Sequence, residues 1–141
     1  WDLNTQALVD RYPGDSAVLC ACLKPEEREI WALNREGVLL RWDTREPPAA
    51  PQTWDVPHCS RFAFADTSLC VCGFGGGGGV CVYDMRRFSP EKEPLVAFPS
   101  PEGGQGKDVI SLAVCSPAPT YGPALLAAGY FSGHVALWAF K

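Results

Sequence analysis

The sequence predicts an all-β protein built from about three four-stranded antiparallel sheets. An aromatic residue followed by Asp ends an apolar run at Trp42-Asp43 and again, 41 residues later, at Tyr83-Asp84. A shorter apolar run and a Gly-containing turn precede each of these runs, which is the pattern of a β-hairpin. No stretch of the chain shows the 3.6-residue apolar period of a long amphipathic helix. Strands joined by tight turns are therefore the expected elements.

Twelve apolar runs are candidate strands, four in each repeat unit. In the first unit they are residues 7–9, 17–23, 29–33 and 38–42. In the second unit they are residues 53–56, 62–65, 68–72 and 80–83. In the third unit they are residues 95–98, 109–115, 124–130 and 135–138. Four short strands in a unit of about 40 to 45 residues are the sequence pattern of one blade of a β-propeller.

The composition is that of a single folded domain. The chain has 141 residues, of which 47% are hydrophobic, and its net charge is -4. Phosphate groups are bound by clustered Lys and Arg, so this acidic balance argues against a nucleic-acid partner. Seven cysteines, an odd number, fit reduced thiols inside a cell better than a secreted disulfide framework. We therefore expect a cytoplasmic protein, with the nucleus as a further compartment.

Residues 109–140 contain no Asp, Glu, Lys or Arg and are long enough to span a bilayer. Pro117, Pro119 and Pro123 interrupt this segment. Three prolines would leave backbone groups of a spanning helix without hydrogen bonds in lipid. The segment is therefore predicted to form buried strands joined by a turn, with no membrane insertion.

The last strands of the three units resemble those of the WD-repeat family. The matching segments are GVLLRWD at 37–43, GVCVYD at 79–84 and SGHVALW at 132–138. The resemblance implies a partial WD-repeat β-propeller and structural roles for Trp42, Tyr83 and Trp138. The third unit departs from the pattern because Ala139 stands in the place of Asp.

We therefore predict one partial propeller over residues 1–141. Residues 1–5 are predicted to end a preceding blade, and residues 6–45, 46–87 and 88–141 to form three blades, the last with insertions. Propellers usually have about 4 to 8 blades, so three cannot close a ring. Two completions remain open: further blades of a longer chain, or association of two copies into a six-bladed ring.

The resemblance also implies structural roles for His58 and Asp66. His58 is similar to the family histidine that hydrogen-bonds within a blade, and Asp66 is similar to the acid of the following turn. A hydrolytic site is the competing interpretation, with His58, Ser60 and Asp66 as its visible candidates. These three residues lie too close in sequence to indicate a shared pocket. We expect a protein that is not an enzyme and has no cofactor or metal site.

The candidate protein-binding residues are Asp43, Arg45, Asp84 and Arg86. They form two copies of aromatic-Asp-x-Arg at consecutive blade ends. This pattern resembles the box of substrate receptors of the cullin-4 ubiquitin ligase, where an Arg docks on the ligase adaptor. A guanidinium group can donate two parallel hydrogen bonds to a carboxylate. The alternative is that each Asp pairs only with its own Arg at a turn.

The sequence therefore predicts a non-enzymatic scaffold for protein–protein interactions, with a cullin-4 substrate receptor as the specific hypothesis. A structural subunit of a transport or cytoskeletal complex is the alternative. The expected partners are other proteins, with the ligase adaptor among them.

Overall fold

The computed structural model describes residues 10–24, 26–76, 79–89, 93–101, 108–115 and 122–140. Within these ranges the chain is all-β, as the sequence predicts, and its strands form three antiparallel sheets. Each predicted run that falls in these ranges forms a strand. The predicted strand at residues 7–9 and the predicted blade tail at residues 1–5 lie outside the described residues, as do residues 102–107 and 116–121 of the predicted insertions.

Each sheet is formed by consecutive strands, which pair with their neighbours in chain order. Sheet 1 consists of β1 (Val18–Lys24), β2 (Glu29–Asn34), β3 (Val38–Asp43) and β4 (Gln52–Asp55). Sheet 2 consists of β5 (Cys59–Phe64), β6 (Leu69–Phe74), β7 (Val80–Asp84) and β8 (Val96–Phe98). Sheet 3 consists of β9 (Val109–Cys115), β10 (Ala124–Tyr130) and β11 (Val135–Phe140).

The sheets are offset by one strand from the predicted units. β4 was expected to open the unit at residues 46–87, but it pairs with β3, with Val38 opposite Asp55. β8 likewise pairs with β7, with Val80 opposite Phe98. After β3 and after β7 the chain reverses direction and pairs antiparallel with the free edge of that strand, so the fourth strand completes the sheet that the chain has just left. The sheets therefore end after β4 and β8 rather than at residues 45 and 87.

Two glycines at equivalent positions allow the third strand to approach the end of the fourth. Gly37 precedes β3 and Gly79 precedes β7, with positive φ angles of 79° and 70°. A Cβ atom on Gly37 would lie 2.8 Å from the Val56 carbonyl oxygen, and one on Gly79 would overlap the Phe98 carbonyl oxygen. Only glycine combines this backbone conformation with this close contact.

The alternation of side chains along the strands produces two cores. In the first, Trp31 and Leu33 of sheet 1 pack against Phe62 and Cys72 of sheet 2. The second core lies between sheets 2 and 3. It contains Val71, Val80, Val82, Val109, Leu126 and Tyr130. Sheet 2 is therefore covered on both faces, as a central layer must be.

The closest approach between sheets runs along their first strands. The Ser60 hydroxyl of β5 donates a hydrogen bond of 2.6 Å to the Val109 carbonyl oxygen, and Arg61 Nε donates one of 2.8 Å to the Ile110 carbonyl oxygen. Gly73 lies so near the Val109 side chain that a Cβ atom would come within 2.5 Å of it. These contacts hold β9 against sheet 2.

Candidate protein-interaction site

The Asp-x-Arg turn of sheet 1 begins on Asp43, the last residue of β3. The Asp43 carboxylate accepts hydrogen bonds from the Arg45 backbone N–H at 2.9 Å and from Arg45 Nε at 2.8 Å. A third bond comes from Arg45 Nη2. Thr44 anchors the turn, since its backbone N–H donates a 2.8 Å hydrogen bond to the Arg28 carbonyl oxygen. One aspartate therefore holds both the backbone and the side chain of the following arginine.

The Asp-x-Arg turn of sheet 2 repeats this geometry. The Asp84 carboxylate accepts hydrogen bonds from the Arg86 backbone N–H at 3.0 Å, from Nε at 2.9 Å and from Nη2 at 2.8 Å. Asp84 also caps the short 3₁₀ turn Met85–Arg87. The structure thus contains two independent examples of the same arginine presentation, each at the end of a third strand.

The arginine side chains are exposed, 58% for Arg45 and 72% for Arg86. Hydrogen bonds from Arg45 lower the pKa of Asp43 to about 2, and those from Arg86 lower the pKa of Asp84. The same bonds raise the pKa of each arginine. Each arginine uses its Nε and Nη2 edge on its own aspartate, and its Nη1 group makes no hydrogen bond within the described part of the chain. The local pairing therefore orients the guanidinium group and leaves one side of it open.

A shallow hollow lies beside each turn. The hollow at sheet 1 has a volume of about 200 Å³ and is lined by Tyr12, Trp42, Asp43 and Glu46, among others. The centroids of the Trp42 and Tyr12 rings lie 6.1 Å apart. Trp42 Nε1 donates a 3.2 Å hydrogen bond to the Ala49 carbonyl oxygen. Trp42 thus links Tyr12 to Ala49, in the connection between β3 and β4, at the base of the hollow.

The hollow at sheet 2 has a volume of about 230 Å³ and occupies the equivalent place. It is lined by Tyr83, Asp84, Phe88 and Glu93, among others. The Tyr83 and Phe88 rings meet edge to face at 5.3 Å. Both hollows are therefore lined by two aromatic rings, the aspartate of the Asp-x-Arg turn and a glutamate from the connection that follows the turn. These two connections differ in sequence.

Tyr83 and Trp138 face the side of their own sheets that is directed toward the preceding sheet, and Trp42 lies on the equivalent side of sheet 1. Tyr83 packs against the core between sheets 1 and 2, and Trp138 against the core between sheets 2 and 3. The centroids of the Trp138 and Phe98 rings lie 5.3 Å apart. Trp42 has no preceding sheet in the described ranges, and Tyr12 packs against its cluster instead.

His58 and Asp66 lie at opposite ends of β5. His58 is exposed, has a φ angle of 66°, and its carbonyl oxygen accepts a 2.9 Å hydrogen bond from the Gly75 backbone N–H. Asp66 accepts hydrogen bonds from the backbone N–H groups of Ser68 at 2.7 Å and Leu69 at 2.8 Å. A strand of this length separates its ends by about 20 Å at roughly 3.3 Å per residue. Asp66 therefore does not reach His58. The Ser60 hydroxyl donates its hydrogen bond to the Val109 carbonyl oxygen of β9.

The sequence analysis missed a polar cluster between sheets 1 and 2, centred on Glu29. This buried carboxylate accepts hydrogen bonds from Trp31 Nε1 at 2.8 Å and Arg41 Nε at 2.7 Å. Burial alone would raise the pKa of Glu29, but the bonds from Arg41 and Trp31 lower it. Glu29, Trp31 and Arg41 lie on one face because Trp31 pairs with Arg41 across the strands. The cross-strand register, once known, identifies the cluster.

Among the described residues, no group of three or more His, Cys, Asp or Glu side chains is arranged to hold a metal ion. Cys70 and Cys72 are fully buried, whereas Cys20 and Cys22 are half-buried. Within the same ranges the structure has no helix with the length and apolar character needed to cross a membrane.

No protein-family model matches this chain, and no curated protein matches it. Among solved structures, the chain is similar to the crystal structure of the computationally designed Ika4 protein. The two share 18% sequence identity and a TM-score of 0.53 over 96% of this chain and 99% of that chain. A likeness at this level of identity concerns the fold alone.

Proposed function

We propose that this chain is part of a WD-repeat propeller that acts as a non-enzymatic scaffold for other proteins. The stacking of three antiparallel sheets in chain order, with their first strands closest together, supports the propeller. Gly37 and Gly79, which precede the third strands of sheets 1 and 2 with positive φ angles, support the interpretation that the sheets are repeats of one unit. In this proposal each sheet is one blade, and the ends of the third strands lie on a common rim.

The observation that carries the function is the pair of matching Asp-x-Arg turns. Arg45 and Arg86 are exposed, and each is held by hydrogen bonds from three of its N–H groups to its own aspartate. A side chain that is already ordered loses less conformational entropy when it binds. The open Nη1 side suits a carbonyl or carboxylate group of a partner. We propose a protein surface as that partner, with the cullin-4 ligase adaptor as its specific identity.

Binding to the purified cullin-4 ligase adaptor tests this proposal. We expect Arg45→Ala and Arg86→Ala each to weaken binding, because an interfacial arginine bonded to a partner typically contributes more than about 1 kcal/mol. We expect the double variant to weaken binding further. Arg45→Lys and Arg86→Lys keep the charge but lose the planar fork, so they should restore little of the affinity.

Arg35→Ala is the matched control. Arg35 is also exposed, but it lies in the turn before β3, at the opposite end of that strand from Arg45. The control should bind as the unmodified chain does. An adaptor that binds the double variant with unchanged affinity, or that does not bind the unmodified chain, would exclude the ligase hypothesis.

A further inference from the structure

Sheet 3 has one face that no described residue covers. The apolar residues of the uncovered face alternate with the core residues Leu126, Ala128 and Trp138; they are Ala113, Leu125, Ala127, Val135, Leu137 and Ala139. Ser111 and Cys115 of β9 lie on the same face. Val135 is 75% exposed, Leu137 is 67% exposed and Leu125 is 42% exposed. We call this surface the sheet 3 end face. Contiguous apolar surface of this kind marks an interaction site.

The opposite end of the sheet stack has a complementary surface on β1. Ala21 and Leu23 pair with Ala32 and Ile30, and all four face away from sheet 2. Leu23 is 63% exposed. Ala32 is buried in the cluster that contains Tyr12 and Ile30, whereas Ala21 and Leu23 of β1 are exposed and define the sheet 1 end face. Farther out on this face, Tyr12 packs against the Trp42 cluster, so the exposed part follows β1.

The two end faces match each other in chemistry and in position. Neither of them contains a charged residue. Within the chain, β5 lies between β1 on one side and β9 on the other. A second copy that placed its β1 against β9 would therefore repeat a contact that the chain already makes twice.

We propose that the sheet 3 end face is covered by the sheet 1 end face of a second copy of this chain. Contacts of this head-to-tail type form closed rings when the rotation between copies closes. Two copies would contribute six sheets, which lies within the range of about 4 to 8 blades seen in propellers. Each copy then buries both of its end faces. This assembly does not depend on the Asp-x-Arg turns.

The mass of the 141-residue chain in solution, measured by light scattering and sedimentation over a range of concentrations, tests the proposal. We expect twice the 15.3 kDa of a single chain. Leu137→Glu and Leu23→Glu should each weaken association by more than about tenfold, because each would bury a charge without a partner. Leu95→Glu is the control, because Leu95 is 61% exposed but lies on neither end face.

A charge pair distinguishes head-to-tail contact from other arrangements. The double variant Leu23→Glu with Ala113→Lys places opposite charges on β1 and β9, the two strands that the proposal brings together. It should recover part of the association, whereas Leu23→Glu with Ala113→Glu should not. Val135→Lys is a second variant of the sheet 3 end face, and circular dichroism verifies that each variant keeps its β-structure.

Three results would overturn the proposal. The first is a single-chain mass at every concentration. The second is a dimer that Leu137→Glu disrupts and Leu23→Glu does not, which would mean that two sheet 3 end faces meet. The third is growth into larger assemblies, which would mean that the ring does not close. Adaptor binding is measured separately, so failure here leaves the proposed function unaffected.

Discussion

At the residue scale, the aspartate that ends a third strand performs two tasks. The Asp43 carboxylate accepts hydrogen bonds from the backbone of the turn and from the Nε and Nη2 groups of Arg45. Asp84 does the same for Arg86. The orientation of these arginines therefore depends on the charge of the aspartates. The Asp and Arg of each motif act as one unit, so a variant of either residue changes the presentation of the other.

The pH dependence of stability checks this coupling. Hydrogen bonds from Arg45 lower the pKa of Asp43 from an ordinary value of 3.8 to about 2. A lowered pKa in the folded state means that the stabilisation is complete above pH 3.8 and is lost as the pH falls toward 2. We expect the difference in unfolding free energy between the unmodified chain and Asp43→Asn to be constant near neutral pH and to shrink across this interval.

Chemical denaturation at a series of pH values measures this difference, and carbon NMR of the carboxyl groups gives the titration midpoint of Asp43 directly. Arg45→Ala serves as the control, because it should return the midpoint toward 3.8. A midpoint of Asp43 that is unaffected by Arg45→Ala would contradict the assigned cause.

At the element scale, the hairpins depend on side chain–backbone and backbone–backbone contacts at their turns. The Asn34 side chain accepts hydrogen bonds from the Glu36 backbone N–H at 3.0 Å and the Val38 backbone N–H at 2.9 Å. Gly37 then lies in the left-handed region, at a place where a Cβ atom would lie 2.8 Å from the Val56 carbonyl oxygen. The turn between β2 and β3 thus also sets where β4 ends, because the Val56 backbone N–H donates to the Gly37 carbonyl oxygen at 2.7 Å.

Substitution of Gly37 by Ala is expected to destabilise the chain by about 1–3 kcal/mol, because a non-Gly residue is strained in this conformation and the new Cβ atom would meet a carbonyl oxygen. Gly76→Ala separates the two causes. Gly76 also has a positive φ angle, 65°, but its Cβ atom would meet nothing within 4 Å. Its effect should therefore be smaller.

Gly14→Ala is a second control, because the new Cβ atom would make only an ordinary contact, 3.9 Å from Leu40. Thermal and urea unfolding of the three variants give the comparison. Equal losses at Gly37 and Gly76 would show that close contact with the end of β4 contributes nothing.

At the scale of the whole molecule, stability comes from packing between sheets. The central sheet buries both faces, and Leu126, Val80 and Val109 are fully buried in the second core. The first and third sheets each cover only one face with another sheet of the described chain. A unit of this kind is stabilised by its neighbours, as in other repeat architectures.

Leu126→Ala should destabilise the chain by about 2–5 kcal/mol, because it removes a buried side chain and leaves a cavity between sheets 2 and 3. Leu125→Ala is the matched control on the adjacent residue of β10. Its side chain is 42% exposed and points to the sheet 3 end face, so the loss should be much smaller. Urea unfolding of both variants at low protein concentration measures the two losses.

Similar losses for the two variants would mean that the two faces of sheet 3 are buried to the same extent. In that case the second core would not be the main contact of this sheet. A dimer at the concentration used would also increase the loss for Leu125→Ala, so the mass is measured under the same conditions.

The sequence by itself determined the strands, because the signals for strands and hairpins are local. Alternating apolar residues and a glycine turn define β2 and β3, or β6 and β7, within about fifteen residues. The motif that places Asp43 two residues before Arg45 is equally local, and so was identified. The tertiary structure alone decided which sheet β4 and β8 join, because antiparallel pairing depends on the nearest free strand edge rather than on the strand's own residues.

The tertiary structure also decided the surroundings of chemically similar residues. Trp42 and Leu137 are both apolar strand residues, but Trp42 is buried beside Tyr12 and Leu137 is exposed. Glu29 is buried beside Arg41 although nothing in its local sequence distinguishes it from the exposed glutamates. Burial and pairing are properties of neighbours distant in sequence, and a local pattern carries no information about them.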